Sequence, residues 1–179
     1  MGNNLPKKNS SLKRFLAIYL ILTGIFFLLI SLEPVRRVVD INGLYTEFIV
    51  LVTSKTLLLL GIPVEYKGHI LELSSFALDI RFGCNGLEAV IIYSVAVLSF
   101  PTVWKKRALG ILFGFIGIQV VNVLRIVLLT LIAVYHMDIF EIAHLYVFQG
   151  IMIVVSFGIF LVFVDFANHG KINLKRDSE

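Results

Sequence analysis

Between Ala108 and Val134 the chain reads ALGILFGFIGIQVVNVLRIVLLTLIAV, 27 residues with Arg125 as their one charged side chain. A helix over this stretch would be about 40 Å long, more than the roughly 30 Å hydrocarbon core of a bilayer. The run therefore reads as a membrane span. Comparable stretches lie at Phe15 to Leu32, at Leu87 to Phe100 with Asn85 and Gly86 extending it upstream, and at Leu145 to Val164. The whole chain agrees: of 179 residues, 58% are hydrophobic and only 16% charged, with a mean hydropathy of +0.92. Such a composition excludes an ordinary soluble enzyme. It leaves room for one compact membrane domain over residues 1–179.

Residues 44 to 62 decide the topology. Apolar runs at Phe48 to Val52 and Leu57 to Leu60 are interrupted by Glu47, Thr53, Ser54, Lys55 and Thr56, so the segment could span or lie flat as an interfacial helix. If it lies on the outer face, ten basic residues fall inside: Lys7, Lys8, Lys13 and Arg14, then Lys105, Lys106 and Arg107, then Lys171, Lys175 and Arg176. Five fall outside: Arg36, Arg37, Lys55, Lys67 and Arg81. If the segment spans, the tally becomes six inside and eight outside, against the positive-inside rule. The expectation is an all-α integral membrane protein with four transmembrane helices (15–32, 85–100, 108–134 and 145–164), an interfacial helix at 44–62, and both termini cytoplasmic. A cleaved secretory signal shares the basic-then-apolar start, but Ser31-Leu32-Glu33-Pro34 lacks a small-x-small cleavage pattern. The net charge of +4 sits in clusters flanking the apolar runs, where it acts as a topology signal and not as a nucleic-acid footprint.

Residues 63–82 change period. Phe76, Leu78, Ile80 and Phe82 alternate with Ala77, Asp79 and Arg81, and Tyr66-Lys67-Gly68-His69 has the composition of a turn. A small β-hairpin or meander is expected on the outer face. It leads into Gly83-Cys84-Asn85-Gly86, whose glycines permit a sharp turn before the next helix.

Three polar groups then converge on one depth. Cys84, the only cysteine, lies at the outer end of the second span. Arg125 is 17 residues beyond Ala108, about 26 Å along the helix and so near the outer boundary. His144 precedes the fourth span on the same side. An intramembrane arginine is costly without a partner or a wet cavity, so Arg125 is a functional candidate, a snorkelling anchor being the plainer reading. Asn122 on the same helix face favours a buried polar cluster. A lone cysteine is ordinarily a packing residue; beside an arginine and at a helix N-terminus it is expected to gain thiolate character. For His144, the unperturbed imidazole value of roughly 6.5 suits a proton carrier between a thiol and a leaving amine. Asn85, Glu88 and Asn122 are read as supporting or substrate-binding residues, with Glu88 placed to pair with Arg125 or orient the site.

Other features have plainer readings. His69, His136 and His169 have no metal-ligand spacing and are read as surface residues. Gly110, Gly114 and Gly117 are expected to let helices pack closely. A non-catalytic assembly factor or small transporter subunit, with Arg125 and Glu88 as a structural ion pair, is the rival from another class. An enzyme using Ser94 is the second rival, although Ser94 lies about 15 Å along the helix from Cys84.

Cys84-Asn85-Gly86-Leu87-Glu88, Asn122-Val123-Leu124-Arg125-Ile126 and His144 before the last span together resemble the exosortase and archaeosortase family of membrane cysteine transpeptidases. The likeness covers roughly residues 40 to 165. The chain's length, with His144-Leu145-Tyr146, looks most like the compact exosortase H type. The longer members have additional N-terminal membrane segments, for which a homo-oligomer or a partner would substitute here. The resemblance implies that exported substrate proteins with a C-terminal tail of short motif, transmembrane helix and basic cluster are cleaved outside the plasma (inner) membrane and passed to an acceptor. It implies Cys84 as nucleophile, Arg125 as anion stabiliser and His144 as acid/base, working in membrane lipid with no metal or organic cofactor and no nucleic acid.

Overall fold

The computed structural model describes residues 7–32, 41–74, 76–80 and 83–176. Helix α1 covers Lys7–Ser31 and α2 covers Ile41–Leu59. Three short strands follow, β1 (Glu65–Lys67), β2 (Ile70–Glu72) and β3 (Ala77–Asp79). Helices α3 (Leu87–Ser99) and α4 (Trp104–Tyr135) come next. A 3₁₀ turn at Met137–Ile139, a single α turn α5 (Phe140–Ile142) and a π-helical segment at Ala143–Val147 lead without a break into α6 (Phe148–Arg176).

Helix α4 is the axis of the molecule, because α2, α3 and α6 all pack on it. Toward its N-terminal half, Val90, Tyr93 and Val97 of α3 and Met152, Phe163 and Ala167 of α6 bury Ile118. Toward its C-terminal half, Ile126 and Val127 pack with Ile49, Val50 and Leu57 of α2 and with Val64, Leu71 and Ile80 around the sheet. Gly110 and Gly114, expected to let helices pack closely, lie against the first of these cores. A Cβ added to Gly114 would lie 2.0 Å from Tyr93 Cε1, and one added to Gly110 would lie 2.4 Å from Phe163 Cδ2. The close approach also lets the Tyr93 hydroxyl donate to the Gly110 carbonyl at 2.8 Å. Gln119 Nε2 donates to the Tyr45 hydroxyl and so ties α2 to α4.

Two helices among the described residues are long and apolar enough to cross a membrane, Trp104–Tyr135 and the continuous Met137–Asn168. These take in the expected third and fourth spans. The expected second span is shorter than required: α3 has 13 residues, about 20 Å. The glycine elbow stops it at one end, and extended Phe100 followed by Pro101 stops it at the other. The region expected as a small β-hairpin or meander is a three-stranded antiparallel meander, β1-β2-β3. Two-residue alternation was legible, but the third pairing, with Leu71 opposite both Tyr66 and Leu78, fully buries Leu71 and gives β2 two neighbours. Gly68, at φ 60°, makes the first turn, so Tyr66 and Lys67 belong to β1 and not to the turn. Glu33, Pro34, Arg36, Arg37, Arg81 and Phe82, and the side chains of His169, Lys171, Lys175 and Arg176, lie outside the described residues.

The helix contact at Gly114 is open to test. Gly114→Ala must displace the Tyr93 ring and should cost about 1–3 kcal/mol, read as a lower unfolding temperature in detergent. Gly150→Ala enters open space and should leave that temperature equal or slightly higher, as expected when alanine replaces glycine within a helix.

Candidate active site

The chain reaches the site through an elbow. Gly83 and Gly86 have φ of 94° and 77°, values that a side chain would resist, and between them stand Cys84 and Asn85. Asn85 is fully buried. Its Nδ2 donates to Thr46 Oγ1 of α2 at 2.8 Å, and its Oδ1 accepts the N–H of Leu87 at 3.1 Å, satisfying a donor of the first turn of α3. Asn85 therefore fastens the elbow on both sides and leaves Cys84 half-buried at its tip. A Cβ at Gly86 would come within 2.8 Å of Asn122 Cγ, so the elbow backbone rests directly on that side chain.

Cys84 Sγ lies 3.3 Å from His144 Nε2, across 60 residues of sequence. His144 is held by the π-helical segment, an arrangement that often re-aims a side chain at functional positions. Its ring stacks on Phe140, with centroids 5.7 Å apart and planes at 7°. Its Nδ1 is buried without a hydrogen-bond partner. Arg125 of α4 is 5% exposed and its Nε is likewise unpartnered. Cys84, Arg125 and His144 share one cavity of about 130 Å³, walled also by Leu78, Asp79, Ile80, Ile126, Leu129 and Phe140.

The supporting residues divide. Asn122 is fully buried beneath the elbow, and neither of its amide atoms has a partner. Glu88 lines a second, largely apolar cavity of about 400 Å³ between α1, α3 and α6, with Phe15, Tyr19, Met152 and Phe160, and is near enough to Cys84 and Arg125 for its charge to act on both. Ser94 is not among the walls of the cavity that holds Cys84. His69 is exposed and stands 3.6 Å from Asp79 Oδ1. Asp79 itself escaped the reading of the sequence. In strand alternation it reads as a polar residue facing away from the core, yet it is among the residues that wall the site.

A model of the transmembrane exosortase family matches residues 11–164. The chain belongs to the transmembrane exosortase family. That match spans the elbow, Arg125 and His144, and it makes this exosortase an integral membrane protein, in keeping with its two long apolar helices. No curated protein and no solved structure matches the chain.

The electrostatics of the thiol differ from expectation. Burial is the largest influence on Cys84 and pushes its pKa above the ordinary thiol value; Arg125 pulls it back, while Glu88 and Asp79 push it further up. The resting group is a thiol and not a thiolate, because the site withholds more hydration than the guanidinium replaces. The sign follows directly. Alkylation requires the thiolate, so its rate should fall about tenfold per pH unit below a midpoint lying above the roughly 8.5 of a free cysteine. Arg125→Gln removes the one influence that lowers the midpoint and should move it higher still. Iodoacetamide rates across a pH series, read by intact mass, measure both; a midpoint in the neutral range would contradict the assignment.

Proposed function

We propose that this exosortase is a membrane cysteine peptidase and transpeptidase that cleaves the C-terminal sorting tail of exported proteins and transfers the remainder to an acceptor. The observation that carries the reading is the 3.3 Å contact between Cys84 Sγ and His144 Nε2 inside a cavity walled by Arg125. A thiol within reach of an imidazole, beside a buried cation, is the constellation that acyl transfer requires.

With the thiol protonated at rest, attack and proton transfer proceed together. As Sγ forms its bond to the scissile carbonyl carbon, the thiol proton passes to His144 Nε2. Arg125 faces the oxyanion that develops, and its unpartnered Nε gives it a hydrogen bond to offer there. Collapse of the intermediate breaks the C–N bond, and His144 returns the proton to the departing amine. The Cys84 thioester that remains is then opened by an amine, a hydroxyl or water. Burial suits this sequence, since a charge arising in a site of low polarity is stabilised mainly by the fixed cation beside it.

In the proposed membrane arrangement α1, α3, α4 and α6 cross, α2 lies along the outer interface, and both termini are cytoplasmic. The distribution of basic residues supports it. Because α3 is only about 20 Å long, the elbow reaches below the outer boundary of the bilayer. A substrate whose own helix lies beside these spans would thus present the residues just outside that helix to Cys84.

A synthetic tail peptide offered to the detergent-solubilised protein should leave an acyl adduct on Cys84, visible by intact mass and located by fragmentation. Cys84→Ala should abolish both adduct and cleavage while the protein still inserts and folds. Arg125→Gln should lower kcat by about 10²–10³, the cost of losing an oxyanion donor. Full cleavage by Cys84→Ala would remove the proposal.

A further inference from the structure

Glu88 has no part in the acylation just described, and no hydrogen bond or ion pair holds its carboxylate among the described residues. It stands in the first turn of α3, directly after the elbow. Glu88, Ala89, Ile92, Tyr93 and Ala96 have the spacing of one helical stripe, and this stripe walls the apolar cavity between α1, α3 and α6. The charge of Glu88 reaches Cys84 and Arg125, and it acts against thiolate formation. The apolar cavity thus begins at the level of the catalytic one. From Glu88 its wall on α3 runs about 12 Å to Ala96, and from Gln149 its wall on α6 runs about 17 Å to Phe160. The Phe15 ring of α1, stacked on Phe160 and edge-on to Phe100, forms the inner end. In the proposed membrane arrangement this length covers the outer half of a roughly 30 Å hydrocarbon core.

The walls restrict the occupant. Ala89, Ala96 and Ser156 are small residues that let another backbone approach closely, as helix contacts in lipid require, and the Ser156 hydroxyl is buried without a partner. A helix seated here meets a carboxylate at its outer end. The first four N–H groups of a helix have no partner within it and carry the positive end of its dipole, so Glu88 suits an N-terminus and repels a C-terminus. The charge thereby fixes direction, with the start of the helix outward and level with the thiol. We propose that this cavity is the docking groove for the transmembrane helix of the sorting tail, with Glu88 receiving the N–H groups at the start of that helix and so setting the residues before it opposite Cys84. This rests on the transpeptidase reading above. A groove of about 390 Å³ walled by Leu98, Trp104, Arg107 and Phe115 does not compete, because Phe115, its nearest residue to Arg125 along α4, lies ten residues or about 15 Å inward. Docking also sets the positive end of a dipole against the charge that opposes the thiolate, so a seated substrate relieves it.

Two synthetic tails that differ only in the first residue of the helix, Asp in one and Lys in the other, are offered together to the detergent-solubilised full-length protein. The ratio of the two cleavage rates is independent of thiol ionisation and of how much protein is folded. The unaltered protein should favour the Lys tail about tenfold, the scale of a charge interaction at a helix terminus. Glu88→Gln should weaken that preference, and Glu88→Lys should reverse it; a purely structural role for Glu88 would lower cleavage of both tails alike. A second arm needs neither cleavage nor a variant, and it decides if the variants do not fold. Benzoylphenylalanine in the second turn of the tail helix, photolysed with the unaltered protein, should attach to Ile92, Met152 or Ile153. A preference that Glu88→Lys leaves unmoved, or attachment at Trp104 or Phe115 instead, overturns the groove while leaving the transpeptidase reading intact. A photoactivatable phospholipid chain that labels Ile92, Met152 and Ile153 and that the tail fails to displace assigns the groove to lipid and overturns the proposal. Attachment of the tail at the expected residues with no acyl adduct on Cys84 supports the groove and removes the transpeptidase reading.

Discussion

The close approach of α3 and α6 to α4 is the constraint on which the site depends. Tyr93 and Phe163 can occupy the α4 surface only because Gly114 and Gly110 have no side chains there. With lipid outside as apolar as the residues inside, helix association draws on this closeness of fit and on hydrogen bonds such as Tyr93 to the Gly110 carbonyl. The contact fixes α3 along α4, and the elbow that precedes α3 is fixed with it. Asn85 supplies the second attachment, to Thr46. Cys84 is therefore held by helix packing on one side and by a buried amide on the other.

A site assembled in this way has its polar groups on separate elements. Cys84 is on the elbow, Arg125 on α4, His144 on the π-helical segment before α6 and Asp79 on β3. No short motif could hold all four, which is why each residue taken singly had a bland reading. What linked them in the sequence was depth. Helical rise placed Arg125 near the level of Cys84 and His144, and in the fold the three line one cavity. That arithmetic works for straight helices with known starting points. It does not extend to the meander, whose position depends on pairing register and on the packing of Leu71 against α2, and so Asp79 was invisible. Nor does it give orientation around a helix. Glu88, only four residues after Cys84, lines the other cavity because α3 presents that face to α1 and α6.

The elements followed the same division. Hydropathy marked the long helices at Trp104–Tyr135 and Met137–Asn168, because a continuous apolar run leaves the backbone no other way to satisfy its hydrogen bonds in lipid. The shortness of α3 was less legible. Its apolar residues run to Phe100, but its first turn is set by the left-handed Gly86, a backbone property that composition alone does not reveal. The π-helical register at Ala143–Val147 left no signal, since its residues are as compatible with an ordinary α-helix. It nevertheless decides where the His144 ring points.

The raised pKa of Cys84 bears on how the proposed chemistry would be controlled. A thiol activated in advance would be open to oxidation and alkylation. A buried thiol kept protonated avoids both, and gains nucleophilicity only when a carbonyl is in place to receive it and His144 Nε2 is free to take the proton. Arg125 is then of most use to the oxyanion and of little use to the resting sulfur, which accounts for a guanidinium that is nearly fully buried yet fails to outweigh the loss of hydration at the thiol. On this reading selectivity comes from assembly: the substrate's carbonyl completes a charge distribution that the empty cavity leaves unfinished.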